Sequence, residues 1–319
     1  MKRFVAVLCA MAFVTFPWSL PAKADTARIM VPASAGGGWD GTARQTILAL
    51  QQSGLFMGGT QFTNKGGAGG TIGLAEFIRT GKGDDNALMF MGAIMVSSII
   101  TSKSPVSLDG TTPLARLTNE YDAVAVPTSS EIRTPADLVE ALRKSPGALA
   151  VGGGSLGGVD HVALALIARE AGVAAGKLNY IPFPGGGDVV TAVAGGKVKA
   201  AISGASELKP LADAGRVRII AVTGPERLKG IDAPTLKEAG IDVVIGNWRG
   251  VVGSPGMSEA AHAAWLERFD KLAAGEVWKQ TLERQGWEDA YLSGDAFVAF
   301  LTAEKSRWKA ILKDVGLAD

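Results

Sequence analysis

A glycine-rich turn occurs twice in this chain, each time between a β-branched run and a helix-like run. Ile29-Met30-Val31-Pro32 leads into Gly36-Gly37-Gly38-Trp39-Asp40, and Tyr180-Ile181-Pro182 leads into Gly185-Gly186-Gly187-Asp188. Each strand ends at a proline, glycines free the backbone, and an aspartate sits where an N-cap belongs. Such a turn leaves backbone N–H groups unpaired at the positive end of a helix, which suits an anion. The bland alternative for Gly36–Asp40 is a tight strand-to-helix turn without a ligand. Two copies about 150 residues apart point to two lobes that clamp one carboxylate ligand between them.

Three further stretches carry candidate chemistry. In Asn64-Lys65-Gly66-Gly67-Ala68-Gly69-Gly70-Thr71 another glycine turn follows a strand and opens a helix, so Asn64, Gly67, Ala68, Gly69 and Thr71 join the candidate site. Gly152 to Gly158 satisfies G-x-G-x-x-G, but the next strand, ending near Ile181, carries no acid for a ribose, so a dinucleotide reading fails. The same stretch holds Gly153-Gly154-Ser155-Leu156-Gly157, a G-x-S-x-G elbow. A secreted serine hydrolase would then need His262, which lies in an ordinary amphipathic run. The preferred reading has Ser155 and the N–H groups around Gly154 donate to a ligand carboxylate. His161 either donates to an anion or caps its own helix. Arg249, in Asn247-Trp248-Arg249-Gly250, either forks onto a carboxylate or pairs with a structural acid. Gly92 and Ser203, at the ends of two strand-like runs, complete the candidate set.

The elements that must position these groups alternate. Strands are predicted at 28–31, 61–63, 88–91, 123–126, 149–151, 179–181, 200–202 and 217–222, and helices at 42–52, 135–144, 159–170 and 208–214. That alternation predicts α/β layering. After about Ser258 only helical spacing is visible, carrying Trp265, Phe269, Trp278, Leu282, Phe297, Leu301, Trp308 and Leu312, which read as core.

Residues 1–24 read as a secretory signal peptide: Lys2-Arg3, an apolar run from Phe4 to Phe16, and Ala22-Lys23-Ala24 before the cut. The sole cysteine, Cys9, falls inside it, so the mature chain carries no disulfide. Two histidines and no mature cysteine argue against a His/Cys metal site, and no cofactor motif survives. Losing three basic residues with the leader turns the formal charge of +1 into −2. No basic block remains for nucleic acid or an anionic membrane, and no apolar run is long enough for a bilayer span. The expectation is a soluble exported protein, read as a monomer and, with the hydrolase set aside, as non-enzymatic.

Taken in order, these motifs resemble the extracytoplasmic solute receptors of tripartite tricarboxylate transporters, the Bug receptors. The matching stretches are the first Gly-Gly-Gly-x-Asp turn, Asn64 through Gly73, Leu114-Ala115-Arg116-Leu117-Thr118, Gly153 through His161, Phe183 through Asp188, Pro234 through Gly240 and Asn247 through Val251. The last few are similar to the branch associated with tricarboxylates such as citrate. Three departures stand out: Gly66 where many relatives have proline, Trp39 in place of a small polar residue, and Ser254-Pro255 in place of a double proline.

The resemblance implies a two-lobed, type II-like periplasmic binding fold with two interlobe crossovers and a C-terminal helical run. Lobe 1 would comprise residues 25–122 plus 244–319, and lobe 2 residues 123–243. It also implies docking on membrane permease subunits; a receptor serving a sensor kinase instead is equally compatible with the chain. In this reading one carboxylate of a citrate-like ligand sits on the 36–40 and 67–71 turns. Another meets Ser155 and the 185–188 turn, while Asp40 and Asp188 cap helices or hold bridging waters.

Overall fold

The computed structural model describes residues 26–318, so the signal-peptide reading of residues 1–24 and Cys9 lies outside it. The chain begins β1 (Ala27–Val31), α1 (Gly38–Gln52), β2 (Thr60–Asn64), α2 (Thr71–Thr80), β3 (Ala87–Gly92), α3 (Ala93–Thr101) and β4 (Thr112–Asn119). It then crosses into β5 (Asp122–Pro127), α4 (Pro135–Lys144), β6 (Ala150–Gly153), α5 (Val159–Glu170), β7 (Asn179–Pro182), α6 (Gly186–Ala194), β8 (Ala200–Gly204), α7 (Ala205–Asp213) and β9 (Val217–Val222). It returns through β10 (Arg249–Gly253), α8 (Glu259–Ala274), α9 (Glu276–Gln285), β11 (Glu288–Ser293) and α10 (Gly294–Asp314).

The strands form two sheets. One is six-stranded, in the order β11-β4-β10-β3-β1-β2, and the other five-stranded, in the order β7-β6-β8-β5-β9. β1 pairs parallel with β2 and β3, and β6 parallel with β7 and β8, each through a helical crossover. The chain changes sheet twice, between Asn119 and Asp122 and between Val222 and Arg249, and the two passes meet in a bridge between Tyr121 and Gly246. The mixed α/β architecture foreseen from the alternation is present, with two sheets as the two-lobed fold requires.

Local chemistry explains the better-formed elements. α4 starts in a capping box, with Thr134 and Asp137 satisfying each other's backbone N–H and Pro135 in the first turn. Trp265, Trp278 and Trp308 are buried with Phe269 and Phe297 against the six-stranded sheet, the core role expected of them. The Trp248 and Trp308 indoles both donate to Glu304 Oε2, at 2.6 and 3.0 Å, so one buried carboxylate staples α10 to the approach of β10.

Two expectations need correction. The C-terminal run is not helix only, since β11 lies between α9 and α10 as an antiparallel edge strand on β4. Its sequence, EDAYLS, is short and half-exposed, and so lacks an apolar stripe. β4 and β10 also escaped the sequence reading. β10 is buried along its whole length between two antiparallel neighbours and carries two glycines, so it shows no alternation. Among the described residues no helix is long and apolar enough to cross a membrane.

Candidate functional site

Six helices begin at the space between the two sheets: α1, α2 and α3 from the first, α5, α6 and α7 from the second. Every one of them has glycine at its N-cap, namely Gly37, Gly70, Gly92, Gly158, Gly185 and Gly204, and none has a side-chain cap hydrogen bond. Of the four remaining helices among the described residues, α4 and α8 carry side-chain caps from Thr134 and Ser258, whereas α9, which follows Gly275, and α10 have none. Uncapped helix starts leave N–H donors and positive dipole ends to whatever occupies the middle. The cleft is therefore built as a converging positive field, of which the two glycine turns in the sequence are only a part.

Glycine matters here for two reasons. Gly37 is extended (φ −88°), and a methyl group on it would lie 3.1 Å from the Gly186 backbone nitrogen across the cleft. Gly70 has φ +88°, and a methyl there would lie 2.8 Å from the Trp39 ring. The lips also meet where Gly66 faces Pro184 and Gly185 faces Ser34. The cavity between them is about 40 Å³, room for roughly three ordered waters.

Of the candidate residues, Gly38, Trp39, Gly154, Ser155, Gly185, Gly186, Ser203 and Arg249 line this cavity. Gly92 packs behind it, against the Trp248 carbonyl and 3.2 Å from Trp39 Nε1 as measured from where its methyl would be. Gly69 abuts Ser98 and approaches Ser155 from the other lobe.

Others are turned away from it. Asp40 accepts from Gly36 N–H (3.0 Å), Arg44 Nε (2.9 Å) and Asn64 Nδ2 (3.0 Å). Burial alone would raise the Asp40 pKa, but those bonds and the Arg44 charge hold it below the usual carboxylate value. Asp40 and Asn64 thus brace the first turn from behind and do not contact the cavity. Thr71 Oγ1 returns its proton to the Ala68 carbonyl, inside its own turn. Gly67 packs against Ile72, and neither it nor Ala68 lines the cavity. His161 Nδ1 accepts from Gly157 N–H and its ring stacks on Tyr180, with burial lowering its pKa to about 4. It is a neutral structural imidazole, not an anion donor. Asp188 sits in the first turn of α6 and is likewise absent from the cavity wall; the N-caps are Gly37 and Gly185, so neither aspartate is the N-cap expected of it.

The hydrolase alternative loses its histidine, because His262 sits on α8 with Nε2 at 3.1 Å from the Pro113 carbonyl.

The sequence reading missed the acids. Glu120 forms an ion pair with Arg249, both buried, and its Oε1 accepts from Ser206 N–H (2.7 Å) at the start of α7. Arg249 thereby fulfils the structural reading of its role, yet its Nη1 is left without a partner. Asp160 takes Gly154 N–H at 2.5 Å. Burial pushes Asp160 up to about 6, against hydrogen bonds from Gly154 and its own N–H. Asp122 is raised well above the carboxylate range, by burial first and then by the charges of Asp160 and Glu120. Glu207 accepts from Ser203 Oγ at 2.5 Å and is pushed up to about 7, by burial and by Glu120, with Arg249 pulling the other way.

Two buried donors, Arg249 Nη1 and Trp39 Nε1, and one buried acceptor, Asn247 Oδ1, have no hydrogen-bond partner among the described residues, and their residues line the cavity. Only the glycine preceding each of these helices was a legible clue. The acids come from three separate places in the chain (Glu120 with Asp122, Asp160, and Glu207), and no spacing links those places.

A family model described as the tripartite tricarboxylate transporter family receptor matches residues 57–317. A protein encoded between tcbD and tcbE in Pseudomonas sp. (strain P51) is 24% identical over 295 residues, covering 90% of this chain and 85% of its own length. Among solved structures, an adipate-bound protein of Rhodopseudomonas palustris superposes with a TM-score of 0.84 at 22% identity, over 92% of this chain and 98% of its own. MatC from the same organism, with bound malate, gives 0.77 at 20% identity, over 90% and 98%.

Proposed function

The chain belongs to the tripartite tricarboxylate transporter receptor family, and on that premise we propose that it is a periplasmic receptor that closes its lobes on a small carboxylate. It then delivers the ligand to the membrane components of a tripartite transporter. The observation that carries this reading is the pair of buried, unpartnered donors, Arg249 Nη1 and Trp39 Nε1, set beside the uncapped start of α1. A desolvated guanidinium nitrogen and a helix N-terminus together form an anion site. Lobe 1 comprises residues 25–122 and 244–319, and lobe 2 residues 123–243. Binding to both favours the closed form, since only that form makes both sets of contacts.

The family relatives with malate and adipate support a carboxylate ligand. The citrate-like tricarboxylate implied by the resemblance belongs to the same class. However, it would bring three charges into a cavity lined by Asp160 and Glu207, whose one guanidinium, Arg249, is already paired with Glu120. The export step rests on the leader-like residues 1–24.

The test is calorimetric titration of the mature chain, stripped of ligand by unfolding and refolding. The panel is citrate, tricarballylate, malate, succinate, adipate, terephthalate and glutamate, with and without magnesium. One-to-one binding of any of them, lost in Arg249→Met with the circular dichroism spectrum unchanged, supports the receptor. Silence from the whole panel and from 4-aminobutanoate and 5-aminopentanoate overturns it.

A further inference from the structure

The cleft is electrically two-faced. On the lobe 1 side stand the partnerless donors Arg249 Nη1 and Trp39 Nε1 and the open start of α1. On the lobe 2 side the protein's own carboxyls stand beside the helix starts. Glu207 lies directly over Gly186, the first residue of α6. Asp160 holds the Gly154 N–H of the Ser155 loop, and Glu120 holds Ser206 N–H in the first turn of α7. A ligand anion approaching lobe 2 therefore meets carboxylates where the sequence pattern promised free N–H groups. Asn247 Oδ1, buried at 3% exposure and without a donor, faces the same cavity and needs a hydrogen, not a lone pair.

We propose that Glu207 and Asp160, with Asn247, form a subsite for a cationic head group, so that this receptor takes a small ammonium-bearing carboxylate in preference to a dicarboxylate. The inference rests on the receptor reading above. The carboxylate end lies on Arg249, Trp39 and the start of α1. The ammonium end turns its three donors toward Glu207, Asp160 and Asn247 Oδ1, filling acceptors that no anion can fill. Glu207 and Asp160 are then specificity-determining residues: they reject a second carboxylate by like-charge repulsion as much as they attract the cation.

The groups facing Glu207 are Arg249 from β10, Glu120 from the crossover, Asp160 from α5 and Asp122 from β5. With only one cation among them, a dicarboxylate enters only if acids on the lobe 2 side are protonated. Its binding must strengthen as pH falls and take up protons, whereas an ammonium ligand releases protons and binds at least as well at high pH.

Calorimetry at about pH 8 and about pH 5.5, in buffers of different ionisation heat, separates the two. The probes are matched pairs: 4-aminobutanoate with succinate, 5-aminopentanoate with glutarate, and aspartate amidated at its side chain with aspartate itself. The expected result on the unmodified chain is a member of the ammonium series, carrying a single carboxylate, binding at about pH 8 at least about tenfold more tightly than its dicarboxylate partner. Glu207→Gln should reverse that order, weakening the ammonium ligand and strengthening the dicarboxylate. A dicarboxylate that binds at about pH 8 as tightly as its ammonium partner, or more tightly, overturns the cation subsite while leaving the receptor reading intact. Silence from both series and from the panel above removes both. The comparison on the unmodified chain stands even if Glu207→Gln fails to fold.

Discussion

Replacing Gly37 with valine places a branched side chain where α1 of one lobe meets α6 of the other. Gly37 has φ −88° and ψ 176°, an extended conformation open to any residue, so the backbone itself is not strained. Its first added carbon would stand 3.1 Å from Gly186 N and 3.6 Å from Gly187 N. The γ-methyls then reach further, into backbone that cannot yield unless the lobe moves. Overpacking of this kind costs about 1–3 kcal/mol, and here the cost falls on the closed form alone.

Ligand affinity should therefore drop about 5- to 150-fold, while the melting temperature without ligand changes little. Calorimetry with the acid identified from the panel measures the first effect, and small-angle scattering with and without that acid reports whether the lobes still close. Gly41→Ala is the control within the same helix, because a methyl there meets nothing within 4 Å. Wild-type affinity and compaction in Gly37→Val, or equal losses in both variants, would refute the argument that this turn works by close approach across the cleft.

Three other outcomes follow from the same structure. Arg249→Met strands Glu120 as a buried, unpaired acid, at a cost of about 3–5 kcal/mol. The Glu120→Gln/Arg249→Met pair should recover most of that in denaturant unfolding, and additive losses would mean that the ion pair is not energetically coupled. Glu304→Ala leaves the Trp248 and Trp308 indole N–H groups without their acceptor. At about 1–3 kcal/mol each, calorimetric melting should fall by about 5–15 °C, and a fall under about 2 °C would contradict the staple. The third outcome concerns pH. Glu207, raised to about 7, holds a proton in the folded chain that the unfolded chain has released, so its contribution is complete below its ordinary value and lost as pH rises through about 7. His161, lowered to about 4, acts oppositely, and stability is lost as pH falls from about 6.5 through that value. Melting temperature should thus rise from about pH 8 to about 6.5 and the rise should shrink in Glu207→Gln; an identical slope in that variant would exclude Glu207 as its source.

Much of the fold was legible because its signals are local. The helices at Pro135–Lys144 and Val159–Glu170 are found where hydrophobic spacing and caps predicted them. The parallel strands of both sheets coincide with the β-branched runs read from the sequence, within a residue or two at their ends. The glycine turns were visible for the same reason, as an N-cap glycine lies next to the strand it follows. β4, β10 and β11 were not visible. A strand buried on both faces and a short half-exposed edge strand each lack the alternation that marks a half-buried strand.

The candidate site divides along the same line. The sequence by itself determined the layered α/β scaffold, the strand–glycine–helix junctions that leave N–H groups open, and the tryptophan core of the C-terminal run. The tertiary structure alone decided which groups those junctions would meet. Glu120 arrives from a crossover, Asp160 from α5, Glu207 from α7 and Arg249 from the strand that returns to the first sheet. Local preferences act over a turn or two of chain, so they cannot record an encounter between side chains many tens of residues apart, still less one that joins Glu120 to Arg249. Yet it is those encounters, made where two lobes exclude water, that set the charge of the cleft and hence the ligand it can hold.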